Sequence, residues 1–99
     1  MCYEFVHPCD SLLIRQIVHL AGADACFMFC IGHLNYLYCD EASSVLKIRN
    51  FLTEMGIALH RLSEKEMESV INHPSIQEWK TFHGSQDLFD MFSARTQAA

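Results

Sequence analysis

The sequence predicts a single domain of the α+β class. The chain has 99 residues, which is enough for one hydrophobic core and too few for two independent ones. Apolar residues make up 51% of the chain, far more than a disordered sequence contains. The hydrophobic pattern also changes repeatedly between the two-residue period of strands and the longer period of helices. Together these observations predict a mixed fold with a packed core.

The first 62 residues contain four predicted strands and two predicted helices. Asp10 or Ser11 supplies the N-cap of the first helix and Asp40 that of the second, which ends at Gly56. The apolar positions of the first helix are 13, 14, 17, 18 and 21. The predicted elements are strand 1–6, helix 12–21, strands 25–31 and 34–39, helix 41–55 and strand 57–62. This βαββαβ order is that of a ferredoxin-like sandwich, an antiparallel sheet with two helices on one face.

The remaining residues predict a C-terminal helical extension. Ser63 and Glu66 have the spacing of a capping box, in which each side chain bonds to the backbone N–H of the other residue. Helices are predicted over 64–72, 75–82 and 86–92. A single domain is therefore expected over 1–92, with a core of 1–62, an extension of 63–92 and a disordered tail of 93–99.

The two central strands are predicted to form a hairpin around Gly32 and His33, because Gly at the first loop position suits a type II′ turn. In that register the numbers of paired residues sum to 65. The pairs on one face are Ile31–Leu34, Phe29–Tyr36 and Phe27–Tyr38, and those on the other are Cys30–Asn35, Met28–Leu37 and Cys26–Cys39. Both faces are thus largely apolar, whereas such a sheet normally has one polar face. We expect the second face to be covered by the C-terminal helices, by a second copy of the chain or by another partner.

The charge of the chain argues against two classes of partner. The formal net charge is −5, and the seven basic residues are spread singly along the sequence. Nucleic acids and anionic membranes both require clustered cations, so neither is expected to bind. The aromatic sheet face resembles that of RNA-recognition modules, but the glycine-rich, basic signature of those strands is missing.

The five cysteines are expected to be reduced thiols of a cytoplasmic protein. Their number is odd, and the chain begins without the basic and apolar segments of a signal peptide. Cys26 and Cys30 would lie about 13 Å apart along one strand, too far to share a metal ion. Cys26 and Cys39 would face each other at a non-hydrogen-bonded position, where oxidation to a disulfide needs no backbone movement. This oxidation is a hypothesis.

No motif in the sequence specifies a catalytic, cofactor-binding or metal-binding residue. The best-supported function is a non-enzymatic interaction with a protein partner, as in an inhibitor, an immunity protein or an anti-defence protein. A regulatory domain that senses a small molecule or a metal, possible as a homodimer, is the alternative. A thiol-dependent enzyme is a third reading, with Cys30 or Cys9 as its nucleophile. The candidate interaction residues are Trp79, Phe82 and Phe89 of the extension and Tyr36 and Tyr38 of the hairpin.

Overall fold

A computed structural model of the chain describes residues 1–71, 83–85, 87–88 and 90–91. It contains an antiparallel sheet with the strand order β4-β1-β3-β2-β5. The elements are β1 (Cys2–Val6), α1 (Ser11–Ala21), β2 (Cys26–Ile31), β3 (Leu34–Cys39), α2 (Ala42–Glu54), β4 (His60–Arg61), α3 (Glu64–Ile71) and β5 (His83–Gly84). The predicted α+β class is confirmed. The predicted helix 75–82 lies outside the described residues, as does the tail.

The sheet differs from the predicted four-stranded sandwich at both edges. A fifth strand, β5, is added beside β2, where Phe27 pairs with Gly84. At the opposite edge β4 has two residues instead of the predicted six. The preceding backbone is held by α2 instead of by the sheet: the N–H of Ile57 donates to Leu52 at 2.8 Å, and the carbonyl of Leu59 accepts from Arg49 at 3.0 Å.

The two long helices are amphipathic, and they differ in how their N-termini are capped. Asp10 caps α1, since its carboxylate accepts the N–H groups of Leu12 and Leu13. The predicted cap of α2 is wrong: the N-cap is Glu41, whose side chain makes no capping hydrogen bond. The carboxylate of Asp40 instead contacts the amino group of Met1 and accepts the hydroxyl of Tyr38.

The predicted hairpin register is confirmed residue by residue from Cys26–Cys39 to Ile31–Leu34. Gly32 has a φ of +61°, as the first position of a primed turn requires. The N–H of Cys39 donates to Met1 and the carbonyl of Cys26 accepts from Ser85. Because both groups point away from the partner strand, Cys26 and Cys39 form a non-hydrogen-bonded pair.

Hydrophobic clusters cover both faces of the sheet. The larger one packs α1 and α2 against the face that contains Met28 and Leu37. The second cluster lies on the opposite face and includes side chains from α3 and from the residues beyond β5. Its members are Cys2, Phe27, Phe29, Ile31, Tyr36, Tyr38, Leu62, Met67, Val70 and Leu88. Phe27 and Phe29 are 0% exposed, so the C-terminal part of the chain contributes to closing the second face.

Candidate interaction surface

The structure places two of the five predicted interaction residues, and both lie on the second sheet face. Tyr36 is buried, with its ring stacked on Phe29 at a centroid distance of 5.1 Å. Tyr38 is partly exposed and stacks on Phe27 at 5.3 Å. Trp79, Phe82 and Phe89 lie outside the described residues. The interaction roles of all five stay predictions.

Tyr38 lines a pocket of about 510 Å³ beside the start of α3. Apolar groups from the second cluster form part of its wall, while charged groups surround them. The lining residues are Met1, Cys2, Tyr38, Asp40, Arg61, Leu62, Ser63, Glu64, Glu66 and Met67. A concave site of this size with an apolar wall and a few polar groups is able to take a small molecule.

A second concavity lies on the outer surface of the helical layer, between α1 and α2. We call it the α1–α2 groove; it has a volume of about 470 Å³ and is lined by Arg15, Gln16, His19, Leu20 and Phe51. Leu12 is 65% exposed and Leu20 is 37% exposed. These two leucines lie eight residues apart, on the same side of α1, with Gln16 one turn from each. The groove therefore exposes apolar side chains beside a cation.

The charges of the helices differ between the two sides of the sheet. The helical layer of α1 and α2 has three cationic side chains and one carboxylate, namely Arg15, Lys47, Arg49 and Glu54. Helix α3, on the opposite side, has three carboxylates and one cationic side chain, namely Glu64, Glu66, Glu68 and Lys65. Lys47 lies one helical turn before Phe51 and Glu54 one turn after it, so α2 brings one charge of each sign near the groove, whereas Arg15 of α1 lines it. Among the five lining residues, Arg15 is the one permanently charged side chain, and it is a cation although the chain is acidic overall.

Cys9 and Cys30 form a disulfide, with their Cα atoms 6.4 Å apart. The prediction that all five cysteines are reduced is therefore wrong for this pair. The loop after β1 crosses the turn end of the hairpin, where the N–H of His7 donates to the carbonyl of His33 at 3.0 Å and the side-chain amide of Asn35 donates to the carbonyl of His7. This crossing brings Cys9 to β2.

The other three cysteines are buried free thiols. Burial raises the pKa of Cys2 to about 12, and burial together with the neighbouring Cys39 raises the pKa of Cys26 to about 12. Burial also raises the pKa of Cys39. Their sulfur atoms are therefore neutral thiols at ordinary pH. Cys26 and Cys39 face each other as predicted, and their oxidation stays a hypothesis.

Within the described residues, no group of three or more His, Cys, Asp and Glu side chains is arranged to hold a metal ion. The helices in this part of the chain are too short or too polar to cross a membrane.

Comparisons with known proteins found no matching family model, no matching curated protein and no matching solved structure.

Sequence reasoning missed both the α1–α2 groove and the disulfide. The groove had a visible signal, because Leu20, which lines it, lies outside the apolar stripe that predicts the buried side of α1. The disulfide had none, because Cys9 and Cys30 are 21 residues apart and meet only through the crossing of the loop.

Proposed function

We propose that the chain is a non-enzymatic protein-interaction protein that binds a protein partner through the α1–α2 groove. Inhibitors, immunity proteins and anti-defence proteins are the classes that act in this way. The observation that carries the proposal is the exposure of Leu20 beside half-buried Phe51 in the lining of one groove, with exposed Leu12 two turns earlier on α1. Apolar side chains clustered at a groove, with polar groups around them, are typical of a protein interface.

The cation that lines the groove limits the kind of partner it fits. Arg15 would repel a basic surface and pair with a carboxylate. The partner we propose presents an apolar side chain flanked by acidic residues, on a segment narrow enough to lie between two helices. The apolar side chain would contact Leu20 and Phe51, while the carboxylates would orient the segment.

We also propose that the fold is a ferredoxin-like sandwich and that the protein is cytoplasmic. The antiparallel order β4-β1-β3-β2 and two helices against one face support a ferredoxin-like sandwich to which β5 and α3 are added. A cytoplasmic location is proposed from the three free thiols. The Cys9–Cys30 disulfide is compatible with it when the bond exchanges with thiols, as cytosolic disulfides usually do.

One observation favours a second candidate function, a regulatory domain that binds a small molecule. The pocket beside Tyr38 has the volume and the mixed apolar and polar lining of a ligand site. In this case Tyr38→Ala would abolish ligand binding and leave binding to a protein unchanged.

The proposal is tested by cross-linking from defined positions. A photoreactive residue replaces Gln16 in the groove or, in a separate protein, Ser69 on the exposed side of α3. Each full-length protein is irradiated in an extract of its native host. We expect one protein to cross-link from position 16 and not from position 69. Cross-linking only from position 69, or only to a second copy of the chain, would overturn the proposal, and the latter would indicate a homodimer.

Two leucine variants then test the surface with the purified partner. Leu20→Glu places a carboxylate in the groove, and we expect it to weaken binding at least tenfold, about 1.4 kcal/mol. The matched control is Leu46→Glu, since Leu46 is an exposed leucine of the same layer (58%) that does not line the groove. Equal effects of the two variants on affinity would exclude the groove as the binding surface.

A further inference from the structure

The two cysteines of the disulfide have different environments. Cys9 is exposed in the loop before α1, one residue ahead of the N-cap Asp10. Cys30 is partly buried in β2 and packs against the larger hydrophobic cluster. A thiol in solution therefore reaches the sulfur of Cys9 more easily than that of Cys30. Access of this kind to one sulfur is what thiol–disulfide exchange requires.

The loop that carries Cys9 is also held in place by hydrogen bonds. The N–H of His7 donates to the carbonyl of His33 at 3.0 Å, and the amide of Asn35 donates to the carbonyl of His7 at 2.9 Å. Asp10 fixes the other end of the loop by capping α1. Because these bonds do not involve sulfur, opening the disulfide leaves both cysteines positioned to form it again.

The three remaining cysteines do not compete with this pair. Cys2, Cys26 and Cys39 are all buried. Burial raises the pKa of Cys2 and of Cys26 to about 12, so neither supplies a thiolate near neutral pH. Thiol exchange in the native protein is therefore directed to Cys9 and Cys30.

We propose that Cys9 and Cys30 form a redox-active pair that exchanges with low-molecular-weight thiols and dithiols. A thiolate of the reductant attacks the sulfur of Cys9, the Cys9–Cys30 bond breaks, and the sulfur of Cys30 leaves and takes up a proton. For a dithiol, its second thiolate then releases Cys9 as a thiol, so that two electrons pass to the protein and the dithiol becomes a disulfide. This proposal is independent of the partner proposed for the α1–α2 groove.

Reduction of the native protein by dithiothreitol tests the pair. Samples are quenched with an alkylating agent over time, and the labelled cysteines are located by peptide mass spectrometry. We expect Cys9 and Cys30 to be labelled while Cys2, Cys26 and Cys39 remain unlabelled. The rate should not change in urea below the unfolding transition. A rate that rises with urea, or simultaneous labelling of all five cysteines, would show that the disulfide opens only on unfolding and would overturn the proposal.

Two single-cysteine replacements test the difference between the sulfurs. Cys30→Ser keeps the exposed thiol and Cys9→Ser keeps the partly buried one. With glutathione disulfide as the probe, we expect Cys30→Ser to form the mixed disulfide at least tenfold faster than Cys9→Ser. Equal rates, or a faster reaction of Cys9→Ser, would contradict the assignment of Cys9 as the exchanging sulfur. Reduction of the unmodified chain is the test that remains if either variant fails to fold.

Discussion

The side-chain amide of Asn35 donates a 2.9 Å hydrogen bond to the main-chain carbonyl of His7, 28 residues away in the sequence. Asn35 is 1% exposed, which makes it one of only two buried polar or charged residues in the described part of the chain. Buried polar groups are costly unless they are paired, so this contact fixes where the β1–α1 loop crosses the hairpin. The same crossing brings Cys9 beside Cys30.

We expect Asn35→Leu to lower the free energy of unfolding by about 1–3 kcal/mol, because it leaves the carbonyl of His7 without this donor. Urea unfolding followed by circular dichroism measures the change. Asn50→Leu is the matched control, since Asn50 is exposed on α2 and a surface replacement changes stability by about 0.5 kcal/mol or less. A loss no larger at Asn35 than at Asn50 would contradict the proposed importance of the contact.

We expect the ionisation of Tyr36 to lower the stability of the protein at alkaline pH. Burial, and next the charge of Glu4, raise the pKa of Tyr36 to about 12. The unfolded chain releases this proton near pH 10, so between about pH 10 and 12 the folded state binds more protons than the unfolded state. Stability from this group is therefore complete below about pH 10 and falls as the pH rises through this window. Tyrosinate absorbance and urea unfolding, both as a function of pH, measure the two effects.

Two variants isolate this contribution from the buried thiols, which titrate in the same direction. Tyr36→Phe should lose less stability between about pH 9 and 12 than the unchanged chain. Glu4→Gln removes the nearby negative charge, so the pKa of Tyr36 should fall towards its ordinary value. An alkaline profile identical in all three proteins would show that Tyr36 does not titrate as the structure implies.

The capping box of α3 predicts an opposite dependence at acid pH. The N–H of Glu66 donates to the hydroxyl of Ser63, and the N–H of Ser63 donates to the carboxylate of Glu66. The hydrogen bond from the Ser63 backbone, followed by the bond to His60, lowers the pKa of Glu66. The contribution of these hydrogen bonds to stability is therefore complete above the pKa of Glu66 in the unfolded chain. It is lost as the pH falls through the pKa of Glu66 in the folded protein.

Ser63→Ala should cost about 1 kcal/mol at neutral pH, as the loss of an N-cap usually does. Glu66→Gln should reduce the fall in stability on acidification. Glu68→Gln, on the same helix but outside the box, serves as the control for both. Amide exchange in α3 measured at several pH values reports these changes, and the prediction fails if Glu66→Gln and Glu68→Gln have the same acid profile.

The features that the sequence predicted correctly depend on rules that act over a few residues. The register of Phe29 with Tyr36 follows from the position of Gly32 in a two-residue turn, and the Ser63–Glu66 box follows from a spacing of three residues. The features that it could not predict depend on where distant segments meet.

The shortening of β4 is one of these features. An apolar run over 57–62 predicts a strand, but the backbone of Ile57 bonds to the end of α2 before the strand begins. The guanidinium of Arg49, also on α2, donates a hydrogen bond to the carbonyl of Leu59. Contacts with α2 therefore keep the first residues of this segment out of the sheet, and the sequence of residues 57–62 alone does not predict these contacts.

The edge strand β5 lies unusually close to β2 at Gly84. Gly84 has a φ of +122°, and a Cβ atom at this position would lie 2.7 Å from the Cα of Phe27. Such a contact is too close, so Gly84→Ala must move β5 away from β2. The N–H of Ser85 then loses its 2.8 Å bond to the carbonyl of Cys26, and we expect its exchange with solvent to accelerate at least tenfold.

Gly32→Ala is the control for backbone strain alone, because Gly32 also has a positive φ (+61°) but nothing lies within 4 Å of its Cβ position. It should cost about 1 kcal/mol in the free energy of unfolding without a selective change at Ser85. Equal acceleration of Ser85 exchange in both variants would show that the loss is global. Selective acceleration in Gly84→Ala would show that the close approach of Gly84 to Phe27 is what holds the β5 edge of the sheet.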